Sequence, residues 1–257
     1  MFKILSGIFN ECRRYVLNGL SKKRAEKNKK GDITKYFDKY IENLIILRLK
    51  EKCKLKAEIL SEELHEKILI NKKFLGKNNY IIIDPVDGSD NYVAGIPFVC
   101  MGISIFDNKK IPIYSFVGNY YSGDWIYADK KKVVFSSKNF TQKQKDKKIL
   151  IYTFSKLKLS NIKHLEKLIN SFDIIRSLGA TIGEMILVVK GSAAAFVDIR
   201  GKLTLENFAP FFLISKYLGL KLTDAKGQDI VLNNFSMTQR HNIIFAKCKV
   251  LKKIIKD

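Results

Sequence analysis

An apolar run that ends in two carboxylates constrains this chain more than any other feature of its sequence. Residues 81–83 are three consecutive isoleucines, and they predict a buried strand. Asp84 and Asp87 follow at once, separated by a proline and a valine, and Gly88 and Ser89 then predict a turn. Carboxylates at the end of a buried strand suit Mg²⁺, which binds through a few carboxylates together with substrate phosphate. The motif therefore indicates phosphate chemistry.

A second acidic pair lies upstream of this motif. Glu62 and Glu63 follow the apolar stretch at residues 57–60, which predicts another strand. Taken alone, each motif is also explained by an ordinary turn or by the solvated start of a helix. Together they favour a site, because both follow strands and the Gly88-Ser89 turn offers N–H groups and a hydroxyl to phosphate oxygens. Two metal ions at such a site stabilise the attacking and the leaving oxygens of an in-line displacement.

Composition and charge narrow the class of protein. The chain has 257 residues, of which 46% are hydrophobic and 11% aromatic, and this excludes a disordered or collagen-like protein. A formal net charge of +22 invites a nucleic-acid hypothesis. The cationic residues are mostly lysines spread along the whole chain, however, and no nucleic-acid-binding motif accompanies them. A solvated lysine surface that attracts phosphorylated substrates is therefore favoured over a nucleic-acid partner.

Cysteine usage and hydropathy bear on location. The four cysteines form no C-x-x-C pair, which argues against a zinc site and a disulfide framework, and Cys100 is predicted to be a buried small hydrophobe. No apolar run approaches the roughly 18 residues needed to span a bilayer. Residues 1–9 lack the layout of a signal peptide. These observations predict a cytoplasmic protein without a membrane partner.

Hydrophobic periodicity predicts two N-terminal helices, then mostly strands to about residue 134, and an alternation of strands and helices beyond it. The predicted helices cover residues 2–20, 37–47, 161–170, 182–190 and 206–218. The predicted strands include residues 57–60, 80–84, 149–153, 174–177 and 193–199. A polar segment at 136–147 predicts a boundary between an N-terminal α+β lobe, residues 1–147, and a C-terminal α/β lobe, residues 148–257.

These motifs resemble those of the inositol monophosphatase family, including its archaeal inositol monophosphatase/fructose-1,6-bisphosphatase members. The resemblance rests on residues 31–32, 37–38, 61–63, 84–92, 95–98, 176–180, 188–191 and 196–200. It implies a layered α-β-α-β-α sandwich of the α+β class, with the site in a cleft between the two lobes. It also implies a homodimer that hydrolyses a small phosphomonoester, an inositol monophosphate and/or fructose-1,6-bisphosphate, with Mg²⁺ as cofactor.

The resemblance implies a metal site and a catalytic set. The implied Mg²⁺ ligands, for two or three ions, are Glu62, Asp84, the Val86 carbonyl and Asp87. Asp38 and Ser89, together with Glu62, would orient and activate a water molecule whose pKa the metal lowers. That water would attack phosphorus directly, without a covalent phosphoenzyme.

The resemblance also implies a set of substrate contacts. They are Asp87, Gly88, Ser89, Arg176, Gly179, Ala180 and Arg200. An arginine suits planar, bidentate recognition of an anion, so Arg200 would contact a second phosphate or a sugar hydroxyl. A surface ion pair explains Arg176 and Arg200 equally well. Glu184 is either a further polar contact or an exposed helix residue, and the exposed residue is the favoured interpretation.

One position departs from the family pattern. The resemblance implies that Asn207 is a further metal ligand, and it stands where the family has an aspartate that closes the second metal site. Asparagine keeps one carbonyl oxygen but removes the negative charge, so the second site is predicted to be weakened. Glu206 is adjacent, yet neighbouring helical residues point in different directions. The chain is then either a working phosphatase or a divergent member that binds metal or a phosphorylated ligand with little turnover. The working phosphatase is favoured, because clustered carboxylates are costly unless metal neutralises them.

Overall fold

Two N-terminal helices form the first layer of the fold. The computed structural model describes residues 1–20, 24–27, 33–64, 67–137, 148–154, 162, 165–166, 168–232 and 234–255. Helix α1 (Phe2–Leu17) buries Leu5, Phe9, Cys12 and Val16 at intervals of three or four residues, as an amphipathic helix requires. Helix α2 (Tyr36–Lys52) packs beside it, and a short antiparallel pair of strands, β1 (Arg24–Lys27) and β2 (Ile33–Lys35), leads into α2.

A seven-stranded sheet in the described chain forms the second layer. Its strands are β3 (Ala57–Ser61), β4 (Ile68–Ile70), β5 (Asn79–Asp87), β6 (Cys100–Phe106), β7 (Pro112–Asn119), β8 (Trp125–Asp129) and β9 (Val133–Phe135). Their order across the sheet is β4-β3-β5-β6-β7-β8-β9. Only the β3–β5 pair is parallel among these neighbours, and it brings the acidic motif that follows β3 to the same edge as the motif that ends β5. A short helix, α3 (Ser89–Ala94), follows β5 directly.

A second sheet and further helices come from the described part of the remaining chain. The elements are β10 (Ile149–Tyr152), β11 (Ile174–Arg176), α4 (Thr181–Lys190), β12 (Ala195–Leu203), α5 (Leu205–Phe208), α6 (Phe211–Leu218), β13 (Leu220–Thr223), β14 (His241–Lys247) and α7 (Cys248–Ile255). Five described strands lie in the order β11-β10-β12-β14-β13, and β10 runs parallel to both of its neighbours.

Strand periodicity distributes the side chains between three apolar layers. In β5, Ile81 and Ile83 pack with α1 and α2, whereas Ile82 belongs to the core between the two sheets. In β12, Phe196 faces that same central core, and Val197 faces the opposite layer with α7. Helices α4 and α6 fill the space between the sheets. The predicted α-β-α-β-α sandwich is therefore confirmed.

Most predicted elements agree with the structure within a few residues, but one does not. The single helix predicted over residues 206–218 is two helices, α5 and α6, separated at Ala209 and Pro210. Proline lacks the N–H that a helix interior needs, and its ring clashes with the preceding turn. The prediction of one continuous helix was therefore wrong. Within the helix predicted at 161–170, the described residues 162, 165–166 and 168–169 are helical, whereas the boundary segment 136–147 lies largely outside the described residues.

Candidate active site

A β-bulge aims the two aspartates of the acidic motif. In the β5–β6 pair, Asp84 lies opposite Gly102 and Asp87 opposite Cys100, so β5 has one extra residue over this interval. In a regular strand, residues three apart point to opposite faces of the sheet. The extra residue changes this alternation. Asp84 and Asp87 both contact helices of the second half of the chain, and both are buried.

Asp87 occupies the N-terminus of α4. Its Oδ1 accepts a hydrogen bond from the Thr181 N–H at 2.8 Å, and its Oδ2 accepts from Ile182 at 2.7 Å and from Gly183 at 3.1 Å. These N–H groups have no partner within the helix, and the helix dipole favours a carboxylate here. Burial nevertheless raises the pKa of Asp87 to about 8, with the hydrogen bonds from Gly183 and Ile182 opposing the shift.

Asp84 is hydrogen-bonded to Asn207, the residue predicted to weaken the second metal site. The Asn207 amide Nδ2 donates to Asp84 Oδ2 at 3.1 Å. The orientation of this amide is fixed by Thr204, whose backbone N–H donates to Asn207 Oδ1 at 3.0 Å at the start of α5. The Asn207 oxygen therefore caps a helix, while its N–H₂ group faces the carboxylate. The predicted role of Asn207 as a metal ligand needs the oxygen that Thr204 already uses.

Glu62 lies beside Asp84 at the same edge of the sheet. In the parallel β3–β5 pair, Ser61 is in register with Ile83, so the residues that follow each of them are neighbours. Glu62 also lines a cavity of about 470 Å³ together with Asn207. Strand pairing therefore brings the two acidic motifs together, although Glu62 and Asp84 are 22 positions apart in the sequence.

A buried acidic group on α2 adjoins these carboxylates. Asp38 is 3% exposed, and its Oδ2 accepts a hydrogen bond from the Lys35 N–H at 3.2 Å. Its other oxygen, Oδ1, has no hydrogen-bond partner among the described residues. Burial raises the pKa of Asp38 to about 8, and the nearby negative charges of Glu63 and Glu62 add to the shift. Several acidic side chains therefore lie close together in this region.

Ser89 is hydrogen-bonded to a lysine that sequence reasoning missed. The Lys35 ammonium Nζ donates to Ser89 Oγ at 3.0 Å and to Asp90 Oδ1 at 2.7 Å. The Lys35 side chain is 9% exposed, whereas that of Asp90 is 98% exposed. Lys35 thus connects the half-buried Ser89 to the exposed Asp90 at the protein surface. Lys35 lies just before α2, and nothing in the sequence distinguishes it from the many other lysines.

The predicted phosphate-binding turn packs against a loop before α4. Gly88 has φ of +85°, and a Cβ added there would lie 2.8 Å from Ala180 Cβ, so only glycine fits. The Asn91 amide Nδ2 donates to the Leu178 carbonyl at 2.7 Å and to that of Phe98 at 2.9 Å. The structure therefore brings the turn next to the loop that contains Gly179 and Ala180, both predicted substrate contacts.

Glu184 is buried, which makes its favoured interpretation as an exposed helix residue wrong. It is 1% exposed, and its Oε1 accepts hydrogen bonds from the N–H groups of Leu178 at 2.5 Å and Gly179 at 3.1 Å. Its position in the first turn of α4, where a carboxylate is favoured, was the available signal. Burial raises its pKa to about 7. Glu184 holds the loop that contains Leu178 and Gly179 against the start of α4.

The two predicted arginine contacts have different surroundings. Arg200 forms a bidentate ion pair with the fully buried Asp198, through Nε to Oδ1 at 2.9 Å and through Nη2 to Oδ2 at 2.5 Å. Arg200 also lines the cavity next to Glu62. Arg176 is exposed and donates from Nη1 to the Ile175 carbonyl at 2.8 Å. An ion pair is therefore observed for Arg200, and it leaves the residue at the cavity wall.

Two further cations of the cavity were not predicted. Lys202 and Arg240 line it together with Arg200, and Arg240 Nη1 donates to the Lys202 carbonyl at 2.7 Å. Neither Lys202 nor Arg240 forms an ion pair with another described residue. The cavity wall therefore has excess positive charge close to the acidic edge of the sheet.

These side chains suit a metal ion better on one side of Asp84 than on the other. Among the described residues, no three carboxylate, imidazole or thiol groups converge closely enough to form a ready-made metal site. The acidic side chains of Asp38, Glu62 and Asp87, which lie near one another, fit a cation that would neutralise their charge. The Asn207 side does not fit equally well, because its N–H₂ group faces Asp84. The donor set therefore favours a cation on the Glu62 side of Asp84.

Comparison with known proteins decides the family. The sequence profile of the inositol monophosphatase family matches residues 3–256. The chain belongs to the inositol monophosphatase family. It is 32% identical over 235 residues to a fructose-1,6-bisphosphatase/inositol-1-monophosphatase of Methanocaldococcus jannaschii, covering 88% of this chain and 85% of that protein. Its predicted enzyme class, a phosphoric monoester hydrolase, is confirmed.

Other members of the family extend the comparison. A solved inositol monophosphatase–fructose 1,6-bisphosphatase structure superposes with a TM-score of 0.83 at 29% identity, covering 99% of this chain and 98% of that one. A bifunctional NADP phosphatase/NAD kinase of Methanococcus maripaludis is 29% identical over 253 residues, covering 88% of this chain and 42% of that protein. The fold agreement with the solved structure therefore extends over nearly the whole of both chains.

The structure also bears on the cysteine and membrane predictions. Cys100 is fully buried, as predicted. Within the described chain, no helix combines the length and apolar character that crossing a membrane requires. Tyr120 is a further residue of this inositol monophosphatase family member that sequence reasoning missed, since its buried hydroxyl donates to the Pro85 carbonyl at 2.8 Å and anchors the acidic motif.

Proposed function

We propose that this protein is a Mg²⁺-dependent phosphatase that hydrolyses a small phosphomonoester with an activated water. The observation that carries the proposal is the meeting of the two acidic motifs at one sheet edge, with Glu62 beside Asp84 and Asp87 at the α4 N-terminus. Glu62, Asp84, the Val86 carbonyl and Asp87 would hold the metal. A Mg²⁺ ion bound there would neutralise phosphate charge and lower the pKa of the attacking water.

Other residues of the chain would bind the phosphate and activate the water. The turn at Gly88 and Ser89 offers N–H groups and a hydroxyl to the phosphate, and Glu184 orders the adjoining loop. Asp38 keeps one buried carboxylate oxygen without a described hydrogen-bond partner, which suits it to accept a proton or a hydrogen bond from water. Asn207 supplies an N–H donor where a second metal would need an anion. We therefore propose that fewer Mg²⁺ ions bind tightly than the two or three that the family resemblance implies.

The cavity favours a substrate with two anionic groups. Arg200 is already neutralised by Asp198, whereas Lys202 and Arg240 have no ion-pair partner among the described residues. A second phosphate would find complementary charge there, since an arginine recognises phosphate well. We therefore propose fructose-1,6-bisphosphate, a substrate named for the Methanocaldococcus jannaschii relative, ahead of an inositol monophosphate.

Phosphate release during a Mg²⁺ titration tests the proposal. The panel contains inositol-1-phosphate, fructose-1,6-bisphosphate, NADP and a nucleoside monophosphate, and the control is Asp84→Asn. We expect Mg²⁺-dependent release from at least one substrate and its loss in the variant. Release from none of them at any Mg²⁺ concentration would overturn the proposal.

A second candidate follows from Asn207. An amide in place of an anion favours a member that binds metal or phosphorylated ligand with little turnover. Calorimetric binding of fructose-1,6-bisphosphate without phosphate release would identify this case. Homodimer formation, a cytoplasmic location and the division into lobes at about residue 147 remain proposals that rest on the family resemblance and on the sequence.

A further inference from the structure

One buried lysine contacts both residues predicted to orient the attacking water. Lys35 is 7% exposed at the junction of β2 and α2. Its ammonium donates to Ser89 Oγ at 3.0 Å, and its backbone N–H donates to Asp38 Oδ2 at 3.2 Å. The two predicted catalytic residues lie on different elements, α2 and α3. Lys35 therefore joins them through two separate hydrogen bonds.

The direction of the Lys35–Ser89 hydrogen bond is fixed by chemistry. An ammonium group has three donors and no acceptor, whereas a serine hydroxyl has one donor and two acceptor lone pairs. Lys35 must therefore donate, and Ser89 must accept. The single hydroxyl proton of Ser89 is then left for another acceptor, such as a phosphate oxygen, a water molecule or a carboxylate oxygen. A neutral acceptor in place of Lys35 would compete for that proton.

Stability alone gives a weak reason for this lysine. Burying a charged group is costly unless it is paired, and the partner carboxylate of Asp90 is 98% exposed. Ion pairs with an exposed partner stabilise proteins by only about 0–1 kcal/mol. The buried ammonium is better explained by what it does to Ser89.

We propose that Lys35 is a positioning residue that makes the Ser89 hydroxyl an obligatory donor toward the reacting phosphate or its attacking water. The inference rests on the proposed phosphatase function. Under this proposal, the positively charged side chain of Lys35 is part of the phosphate-binding turn at Gly88 and Ser89. Because Lys35 acts through Ser89, removing it should matter only while the Ser89 hydroxyl is present.

A double-mutant cycle tests this dependence. Lys35→Met removes the donors while keeping a long side chain, Ser89→Ala removes the hydroxyl, and Lys35→Arg keeps the charge and the donors. We expect Lys35→Met to lower kcat by about 10-fold or more, with KM changed by less than about 3-fold, and Lys35→Arg to recover part of the loss. In the Ser89→Ala background, Lys35→Met should change kcat by less than about twofold.

Inorganic phosphate binding provides a readout that does not depend on turnover. In calorimetry with Mg²⁺ present, Lys35→Met should weaken phosphate binding by about fivefold or more in the native background and by less than about twofold with Ser89→Ala. Lys221→Met is the matched control, because Lys221 lies on β13 and forms an exposed ion pair with Asp229. Thermal unfolding verifies folding, and Lys35→Gln replaces Lys35→Met should the latter unfold.

The outcomes separate this inference from the proposed function. Equal losses from Lys35→Met in both backgrounds, or no loss in either assay, would overturn the role of Lys35 while leaving phosphatase activity intact. An unmodified protein that releases no phosphate would overturn the proposed function, and the phosphate-binding cycle would then still decide the inference.

Discussion

Asn207 and Asp84 are joined by a hydrogen bond of 3.1 Å in which the asparagine amide donates to the carboxylate. The two residues are 123 positions apart in the sequence. Thr204 fixes the direction of the bond, because its N–H occupies the asparagine oxygen. An uncharged donor therefore faces Asp84 at the position where the family resemblance predicts a negatively charged residue.

Asn207→Asp should make stability depend on divalent cations. The new carboxylate would keep the Thr204 hydrogen bond but face Asp84, and two like charges at this distance repel. We expect a loss of about 2 kcal/mol without metal, which lowers Tm by about 4–8 °C, and recovery with Mg²⁺. Scanning calorimetry with EDTA and with Mg²⁺ measures this. Asn234→Asp on an exposed loop is the matched control, and equal Tm values for both variants would contradict the expectation.

Asp38 should make the metal-free protein less stable as pH rises. Between the unfolded carboxyl pKa, about 4, and the folded pKa of about 8, the folded protein keeps a proton that the unfolded chain has released. Stability therefore falls as pH rises through this window. Asp38→Asn should flatten the dependence of Tm on pH from 5 to 9 in EDTA. Asp229→Asn is the surface control, and identical slopes for Asp38→Asn and the unmodified protein would argue against the shift.

Glu184 should affect substrate binding through the loop it holds. Glu184→Ala removes the acceptor for the N–H groups of Leu178 and Gly179, at a cost of about 1.5–3 kcal/mol in stability. Glu184→Gln retains a carbonyl oxygen and should be milder. We expect KM to rise several-fold in Glu184→Ala and to stay within about twofold in Glu184→Gln. Steady-state kinetics and thermal unfolding measure both effects, and equal effects of the two variants would mean that the accepted hydrogen bonds do not order the loop.

Arg240 should discriminate between substrates with one and two phosphates. Arg240→Ala removes a cation from the cavity wall, so we expect kcat/KM to fall about 10-fold for fructose-1,6-bisphosphate and less than about twofold for inositol-1-phosphate. The comparison variant is Lys221→Ala, which removes a surface charge elsewhere. A uniform fall for both substrates would exclude a second-phosphate site at Arg240.

Gly88→Ala separates backbone strain from crowding when it is compared with Gly19→Ala. Both glycines have positive φ, +85° and +80°, but only an alanine at 88 would meet another atom, Ala180 Cβ at 2.8 Å. We expect Gly19→Ala to cost about 1–2 kcal/mol and Gly88→Ala to cost more and to lower activity. Denaturant unfolding and phosphate release measure the pair. Equal costs would mean that the turn and the Ala180 loop are not closely packed.

The layered fold was largely predictable because periodicity is a local property. The isoleucines of β5 and the spacing of apolar residues in α1 predicted buried elements that the structure contains. The long helix over 206–218 failed although the sequence carried the signal, since Pro210 cannot continue a helix. The type and position of an element depend on nearby residues, so most of them could be predicted.

The sequence by itself determined the acidic motifs, the order of elements and the substitution at Asn207. Only the tertiary structure decided what each side chain contacts. It brought Asp87 to the N-terminus of α4, 94 residues away, and Lys35 to Ser89, 54 residues away. It also buried Glu184 and turned the Asn207 amide toward Asp84. Spacing encodes neighbours along one element, whereas strand register, a bulge and side-chain rotamers arise only when distant elements pack together.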